Sequence, residues 1–201
     1  KLYVGTGSVS DFSDESQNLN SLVGKILRLN DDGSIPSDNP FEKSYVFSLG
    51  HRNPTGFAWN DAGLMYATES GPTKNDEINL ITAGSNYGWP EVQCFSDNNN
   101  FVNPLECFDP GLEPGGIIFY SGDKLDIGNE MILASQKATN LFIVQISDND
   151  VNLEEMFDQK RFKCYPNPAK EYIKFESENL NQFDVIIYDI KVDLWACSSV
   201  G

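Results

Sequence analysis

Side chains that could do chemistry are concentrated in residues 50–90 of this sequence, beginning with an Arg-Asn pair. Arg52 and Asn53 stand side by side on a turn that Pro54 and Gly56 constrain. Arg presents a planar fork of hydrogen-bond donors and Asn adds an amide, so together they suit the adjacent carbonyl or carboxylate oxygens of a planar ligand. A salt bridge combined with an Asx turn would use the same two residues. The motif alone leaves ligand binding and a structural role open.

A second group of oxygen-bearing residues follows at 71–77. The Gly71-Pro72 turn can aim main-chain carbonyls at one point, and Asp76 and Glu77 add two carboxylates nearby. Ligation by oxygen alone is typical of Ca²⁺, and no His or Cys stands close enough to indicate a softer metal. The spacing is not that of an EF-hand. An Asp-Glu pair at a strand end is also common on solvated surfaces, so both interpretations stay open.

Two aromatic residues and one histidine complete the candidate chemistry. Tyr87 and Trp89 flank Gly88, either as a platform for a planar ligand or as core-filling side chains. His51 is the only histidine, and with no carboxylate at a diagnostic spacing we expect it to form structural hydrogen bonds rather than act as a base. The motifs GxSxG, GxGxxG and GxxxxGK(S/T) are absent, which argues against the nucleophile elbow of a hydrolase, a nicotinamide-binding site and a nucleoside triphosphate-binding site.

The composition excludes some classes of binding partner. The 201 residues carry a formal net charge of −16, which opposes binding to nucleic acid or to anionic lipid. The apolar runs are only a handful of residues long, where a membrane-spanning helix needs about 20. The sequence shows neither an initiator Met nor a signal peptide, so we expect a fragment or a processed product. Of the four cysteines, Cys94 and Cys107 bracket an Asn-rich stretch and form either a loop-closing disulfide or two free thiols.

Short strands must position these residues. Apolar segments of four to six residues, rich in Ile, Val, Phe and Tyr, recur between Gly, Asn, Asp and Pro turns, and no stretch sustains a helical period. The sequence therefore predicts an all-β protein. Similar turns recur at roughly 40 residues, which favours propeller blades of four strands over a β-sandwich. The predicted strands are 2–4, 26–29, 45–49, 56–59, 64–68, 78–81, 117–120, 131–134 and 141–146.

Four ordered motifs, taken together, resemble the soluble aldose dehydrogenases that depend on pyrroloquinoline quinone (PQQ), the glucose/sorbosone dehydrogenase family. They span residues 18–30, 50–56, 67–81 and 84–92, and the resemblance covers roughly residues 1–147. It implies a six-bladed β-propeller that carries PQQ above a Ca²⁺ ion and oxidises an aldose at C1 by hydride transfer. At roughly 40 to 45 residues per blade, residues 1–158 would hold three to four blades.

The resemblance also implies roles for individual residues. Arg52 and Asn53 would contact the quinone, with Arg52 in the catalytic role of stabilising negative charge on its oxygens. Lys137 resembles the cofactor-binding lysine of the family. We expect the aldose and an external electron acceptor to be the partners in the reaction.

The metal ligands follow from the same resemblance. Gly71 and Pro72 would offer main-chain oxygens to the Ca²⁺ beside the cofactor. Asp76, Glu77 and Tyr87 fall where the family often builds a second, structural Ca²⁺ site. The family's catalytic histidine lies upstream of the strand that begins this sequence, so we expect the isolated chain to be inactive.

Residues 159–201 differ in character from the rest. A basic run at 159–163 precedes Cys164-Tyr165-Pro166-Asn167-Pro168 and two alternating strand-like runs, 172–175 and 184–190. This segment resembles the small β-sandwich sorting domain of type IX secretion, with its last strands missing or altered. The resemblance implies the type IX export machinery as a partner and a secreted or cell-surface protein that crosses the periplasm.

Two other functions are consistent with the residues. A noncatalytic propeller could serve as a binding or receptor module, although it would have no reason to keep Arg52-Asn53 together with Gly71-Pro72. A carbohydrate-binding β-protein would use Trp59, Tyr87 and Trp89 as a stacking platform without any cofactor.

Overall fold

The fold is known from a computed structural model, which describes residues 1–8, 10–122, 130–136, 141–146, 151–155, 162–166, 172–177 and 185–188. For residues 10–13, Leu141, Ile143 and the described residues beyond Val144, the description is of the backbone alone. Lys137 lies outside the described residues.

These ranges contain fourteen β-strands and one 3₁₀ helix, Ser10–Gln17. The strands are β1 Leu2–Thr6, β2 Lys25–Leu29, β3 Val46–Leu49, β4 Pro54–Trp59, β5 Met65–Glu69, β6 Asp76–Ile81, β7 Glu106–Phe108, β8 Pro114–Phe119, β9 Met131–Ser135, β10 Leu141–Ile146, β11 Val151–Glu155, β12 Phe162–Pro166, β13 Tyr172–Ser177 and β14 Val185–Tyr188. The all-β prediction is confirmed. Among the described residues, no helix has the length and apolar character needed to cross a bilayer.

The strands pair with their neighbours along the chain. Sheet 1 is β1-β2-β3, sheet 2 is β4-β5-β6-β7 and sheet 3 is β8-β9-β10-β11, each antiparallel throughout. A four-stranded meander of this kind is the blade unit of a β-propeller. Within the described part of the chain, sheets 1, 2 and 3 do not close into a ring. Strands β12, β13 and β14 form a fourth sheet at residues where we predict the sorting domain.

Sheets 1, 2 and 3 bury apolar side chains against one another. One cluster joins sheets 2 and 3 through Ile78, Phe108, Met131 and Leu133. Another joins sheets 1 and 2 through Ile26 and Ala67, with Tyr87 packed among them. Removing this apolar surface from water stabilises the arrangement by roughly 25 cal/mol per Å².

The first strands of sheets 2 and 3 approach each other closely because both carry glycine. A Cβ placed on Gly56 in β4 would lie 2.9 Å from the Gly115 carbonyl oxygen and 3.1 Å from the Cα of Gly116 in β8. Both neighbouring atoms are main-chain atoms, so neither can move aside without shifting β8. Gly56 is therefore required by the spacing of the two strands.

Lys25 holds the 3₁₀ helix onto sheet 1. Its side chain is fully buried, and its ammonium donates to the main-chain oxygens of Glu15 at 2.8 Å, Ser16 at 2.8 Å and Val23 at 2.7 Å. These three bonds use all three ammonium protons. Burial lowers the pKa of Lys25 to about 8, while the Glu15 carboxylate acts in the opposite direction.

We predict that Gly56→Ala destabilises the chain by about 1–3 kcal/mol, because the added methyl group overpacks the β4–β8 contact. Gly116→Ala is the matched control, since a Cβ at that position meets nothing within 4 Å. Chemical denaturation of both variants measures the difference. Equal stabilities of the two variants would show that the strand spacing does not depend on Gly56.

Candidate functional site

One edge of sheet 2 gathers the residues that the sequence singles out. Because β4, β5 and β6 are antiparallel neighbours, the turn before β4 and the loop between β5 and β6 meet at the same edge. Residues 84–93 complete the site by running beside β3, where Asn86 forms a parallel bridge with Leu49 and the Trp89 amide donates to the Gly50 carbonyl at 2.9 Å.

These segments line a small cleft that is partly open to solvent and has an inner volume of about 20 Å³. Its walls are formed by Gly50, Arg52, Glu69, Ser70, Gly71, Pro72, Asn75, Glu77, Tyr87, Trp89, Val92 and Gln93. The cleft thus brings together five of the predicted site residues, namely Arg52, Gly71, Pro72, Glu77 and Tyr87. Asn53 and Asp76 are not among its lining residues.

The side chain of Arg52 is held in place by main-chain carbonyls and lies near the Trp89 ring. One terminal nitrogen of its guanidinium donates to the carbonyls of Ser70 at 2.8 Å and Gly71 at 2.5 Å, and its Cζ lies 5.9 Å from the ring centroid of Trp89. Partial burial lowers the pKa of Arg52, and the nearby Asp76 carboxylate raises it. The group still carries its charge, since an arginine pKa stays far above neutral pH.

Asn53 takes a structural position beside the cleft. Its carbonyl accepts the Ser70 amide at 3.0 Å, which joins the turn before β4 to the loop after β5. The residue is exposed, and its side-chain oxygen would lie 3.0 Å from a Cβ placed on Gly7.

Asp76 anchors the loop that carries Gly71. Its two carboxylate oxygens accept the main-chain amides of Gly71 at 2.7 Å and Glu113 at 2.6 Å, and the residue is 3% exposed. The loop is so tight that a Cβ on Gly71 would lie 1.9 Å from the Lys74 carbonyl oxygen. Asp76 therefore fixes the loop that carries Gly71.

Glu77 presents a carboxylate to the cleft under strong electrostatic constraint. It accepts the Cys94 amide at 2.8 Å and the Asn79 side-chain amide at 3.1 Å. Burial first, and then the negative charge of Glu69, raise the pKa of Glu77 to about 7. A positive charge in the cleft would relieve both effects.

Tyr87 contributes its ring rather than a free hydroxyl. The hydroxyl donates to the Leu80 carbonyl at 2.6 Å and accepts the Thr82 amide at 2.9 Å. Burial raises the pKa of Tyr87 to about 12. With both bonds in place, the ring forms the cleft wall and packs at 4.7 Å against His51.

His51 forms structural hydrogen bonds, as predicted, but with a carboxylate that the sequence pattern did not indicate. Its Nε2 lies 2.7 Å from the Ser48 hydroxyl and its Nδ1 lies 2.5 Å from a Glu69 carboxylate oxygen. A serine, a histidine and a carboxylate in this order resemble a hydrolytic triad. Ser48 and His51 are 0% exposed, so the serine and the histidine have no access to a substrate, although Glu69 lines the cleft.

The Cys94–Cys107 disulfide, one of the two alternatives open from the sequence, is present. The two Cα atoms lie 5.6 Å apart, which suits such a bond. Cys107 pairs with Glu77 in the β6–β7 register, so the disulfide fixes the segment that carries the Cys94 amide next to the carboxylate that accepts it.

The donors and acceptors of the cleft suit a flat, oxygen-rich anion together with a hard cation. The guanidinium of Arg52 supplies positive charge, and the buried indole N–H of Trp89 has no hydrogen-bond partner among the described residues. The Gly71 carbonyl already faces a cation, because it accepts from Arg52. Across the described ranges, no group of three or more His, Cys, Asp or Glu side chains could hold a metal, so a cation here would need main-chain oxygens in addition to any carboxylate.

Known proteins are similar to this chain in sequence, and solved structures are similar to it in fold. Quinoprotein glucose dehydrogenase B of Acinetobacter calcoaceticus is 48% identical over 85 residues, which cover 41% of this chain and 18% of that protein. Aldose sugar dehydrogenase YliI of Escherichia coli is 33% identical over 155 residues, covering 68% of this chain and 39% of that protein. The PQQ-bound aldose sugar dehydrogenase of Streptomyces coelicolor superposes with a TM-score of 0.70 at 31% identity, covering 87% of this chain and 51% of that one.

The chain spans less than half the length of these two curated relatives. The sequence profile of the Glucose / Sorbosone dehydrogenase family matches residues 1–163 of the 201. That match includes sheets 1 to 3 and every residue that lines the cleft. The chain therefore belongs to the glucose/sorbosone dehydrogenase family.

Proposed function

We propose that this chain forms part of the cofactor-binding face of a PQQ- and Ca²⁺-dependent dehydrogenase that oxidises an aldose at C1. In this proposal the whole protein is a six-bladed propeller, and residues 1–158 supply three to four of its blades. The observation that carries the proposal is the Arg52 guanidinium held against the Ser70 and Gly71 carbonyls in one cleft. The quinoprotein and PQQ-bound relatives support the same cofactor.

The residues divide between the two bound groups. Arg52 and Asn53, with Lys137, would hold the quinone, and Arg52 would stabilise the negative charge that grows on its oxygens. Main-chain oxygens of Gly71 and Pro72 would hold the catalytic cation. When bound, PQQ supplies the two-electron acceptor for the hydride of the sugar, and Ca²⁺ makes it more electrophilic.

A second cation would be held near Glu77. We include Asp76 and Tyr87 in this proposed structural site, although each already makes two internal hydrogen bonds. Of the three residues, Glu77 has the most to gain from a cation, because burial and Glu69 raise the pKa of its carboxyl to about 7.

The base for C1 oxidation lies outside this chain in our proposal. His51 is the only histidine of the 201 residues, and Ser48 and Glu69 occupy both of its ring nitrogens. The reaction also needs an external electron acceptor.

Export of the protein from the cytoplasm is consistent with this proposed function. The Cys94–Cys107 disulfide is typical of an oxidising compartment. We propose a secreted or cell-surface protein that crosses the periplasm and is recognised by the type IX secretion machinery through residues 159–201.

The carbohydrate-binding alternative has less support. Tyr87 and Trp89 line the cleft, whereas Trp59 ends β4 and packs at 5.3 Å against Tyr3. Along a strand, Trp59 is about 17 Å from Pro54, beside which Arg52 lies. The three aromatic residues therefore do not form one stacking platform.

Arg52→Ala should weaken Ca²⁺-dependent binding of PQQ by about 10- to 100-fold, because it removes charged donors from the cleft. Absorbance titration of PQQ with and without Ca²⁺ measures the loss. Lys43→Gln is the control, because it removes one positive charge at an exposed position outside the cleft. Ca²⁺-dependent binding that survives in Arg52→Ala would remove Arg52 from the site.

Glu77→Gln should lower Ca²⁺ affinity by about 10-fold or more, since the amide has no charge to offer the cation. Isothermal titration calorimetry with Ca²⁺ gives the affinity, and Glu91→Gln provides an exposed acid for comparison. An unchanged affinity in Glu77→Gln would exclude Glu77 as a ligand.

The 201-residue chain alone should not reduce a dye in the presence of PQQ, Ca²⁺ and glucose. The reason is that its single histidine, His51, is fully buried and both of its ring nitrogens are hydrogen-bonded. Dye reduction above the level of free PQQ would contradict our placement of the base.

A further inference from the structure

Glu69 occupies the centre of the hydrogen-bond network behind the cleft. It is the last residue of β5 and is 4% exposed. One carboxylate oxygen lies 2.5 Å from Nδ1 of His51 and accepts the side-chain amide of Asn79 at 3.0 Å. The other oxygen accepts the main-chain amide of Arg52 at 3.0 Å. One carboxylate therefore ties together the turn before β4, β5 itself and β6.

The contact with Arg52 completes a clamp around that residue. Glu69 binds the Arg52 backbone, and the two residues that follow it, Ser70 and Gly71, bind the Arg52 guanidinium. The Ser70 amide in turn donates to the Asn53 carbonyl. Three consecutive residues thus fix both ends of the one arginine that faces the cleft.

His51 orients the carboxylate for this task. The ring is stacked on Tyr87 with an interplanar angle of 25°, and its Nε2 lies at hydrogen-bond distance from Ser48. A carboxylate that already accepts from Asn79 and Arg52 also takes a donor from His51, which places the proton on Nδ1. The Ser48 hydroxyl, which can donate or accept, pairs with Nε2.

We propose that Glu69 is a positioning residue for Arg52, so that ligand affinity in the cleft depends on Glu69 through the placement of the arginine. The binding part of this inference rests on the proposed function. The structural part does not, because it concerns the Arg52 amide in the chain without any ligand.

The first test measures that amide directly. In Glu69→Gln one oxygen becomes an NH₂ group, so a single acceptor oxygen remains for the three donors that share the carboxylate in the wild type, Arg52, His51 and Asn79. We expect the Arg52 amide of the 201-residue chain to exchange with deuterium about 10-fold faster than in the wild type. Glu91→Gln, an exposed acid in the segment that follows Trp89, should leave it unchanged. Unchanged exchange in Glu69→Gln would overturn the proposal.

Glu69→Asp is a second variant that tests the proposal if Glu69→Gln does not fold. It keeps both carboxylate oxygens but withdraws them by one methylene, so the Arg52 amide should exchange at a rate between those of the wild type and Glu69→Gln. Exchange at the wild-type rate in a folded Glu69→Asp chain would also overturn the proposal.

The second test is a double-mutant cycle on Ca²⁺-dependent PQQ absorbance. Glu69→Gln should weaken binding about 10-fold in the wild-type background and less than about 2-fold in Arg52→Ala, because the residue through which it acts is gone. Equal losses in both backgrounds would show that Glu69 acts independently of Arg52. If the wild type binds no PQQ, the proposed function fails while the amide-exchange test still decides the positioning role.

Discussion

Three carboxylates lie away from bulk water at one edge of sheet 2, and the arrangement of the cleft follows from the donors that each one needs. Glu69 ends β5, while Asp76 and Glu77 begin β6, so the hairpin brings all three together. A buried charge without partners would cost several kcal/mol. Each carboxylate accordingly accepts at least two hydrogen bonds, and these bonds fix the surrounding loops.

The three carboxylates are satisfied in different ways, which gives them different roles. Asp76 receives two main-chain amides and is engaged on both oxygens, so it anchors a loop. Glu77 is satisfied by one amide and one side chain, and burial together with Glu69 raises its pKa to about 7. It is therefore the carboxylate of the hairpin that a cation would stabilise most.

Strand positions were largely predictable because each apolar run is bounded by turn residues. Three strands were missed. β7, Glu106–Phe108, is too short to form a pattern, β11, Val151–Glu155, holds only two apolar residues, and β12, Phe162–Pro166, overlaps the basic run at 159–163. The polar 3₁₀ helix at 10–17 carries no apolar period. The cleft residues Arg52 and Gly71 were found from their motifs. The Glu69–His51 pair was missed because its 18-residue separation becomes a contact only through the β4–β5 register, in which Pro54 faces Glu69.

All lining residues of the cleft come from residues 50–93, within one sheet and its connecting loops. These residues bond to one another, to Cys94 through the Glu77 carboxylate, and to Ser16 and Gln17 through the Trp89 carbonyl. Lys25 secures that last contact from inside sheet 1 by holding the Ser16 carbonyl. The Arg52 side of the cleft is thus held in place by sheets 1 and 2 and their loops, which would lower the ordering cost for a ligand that binds there.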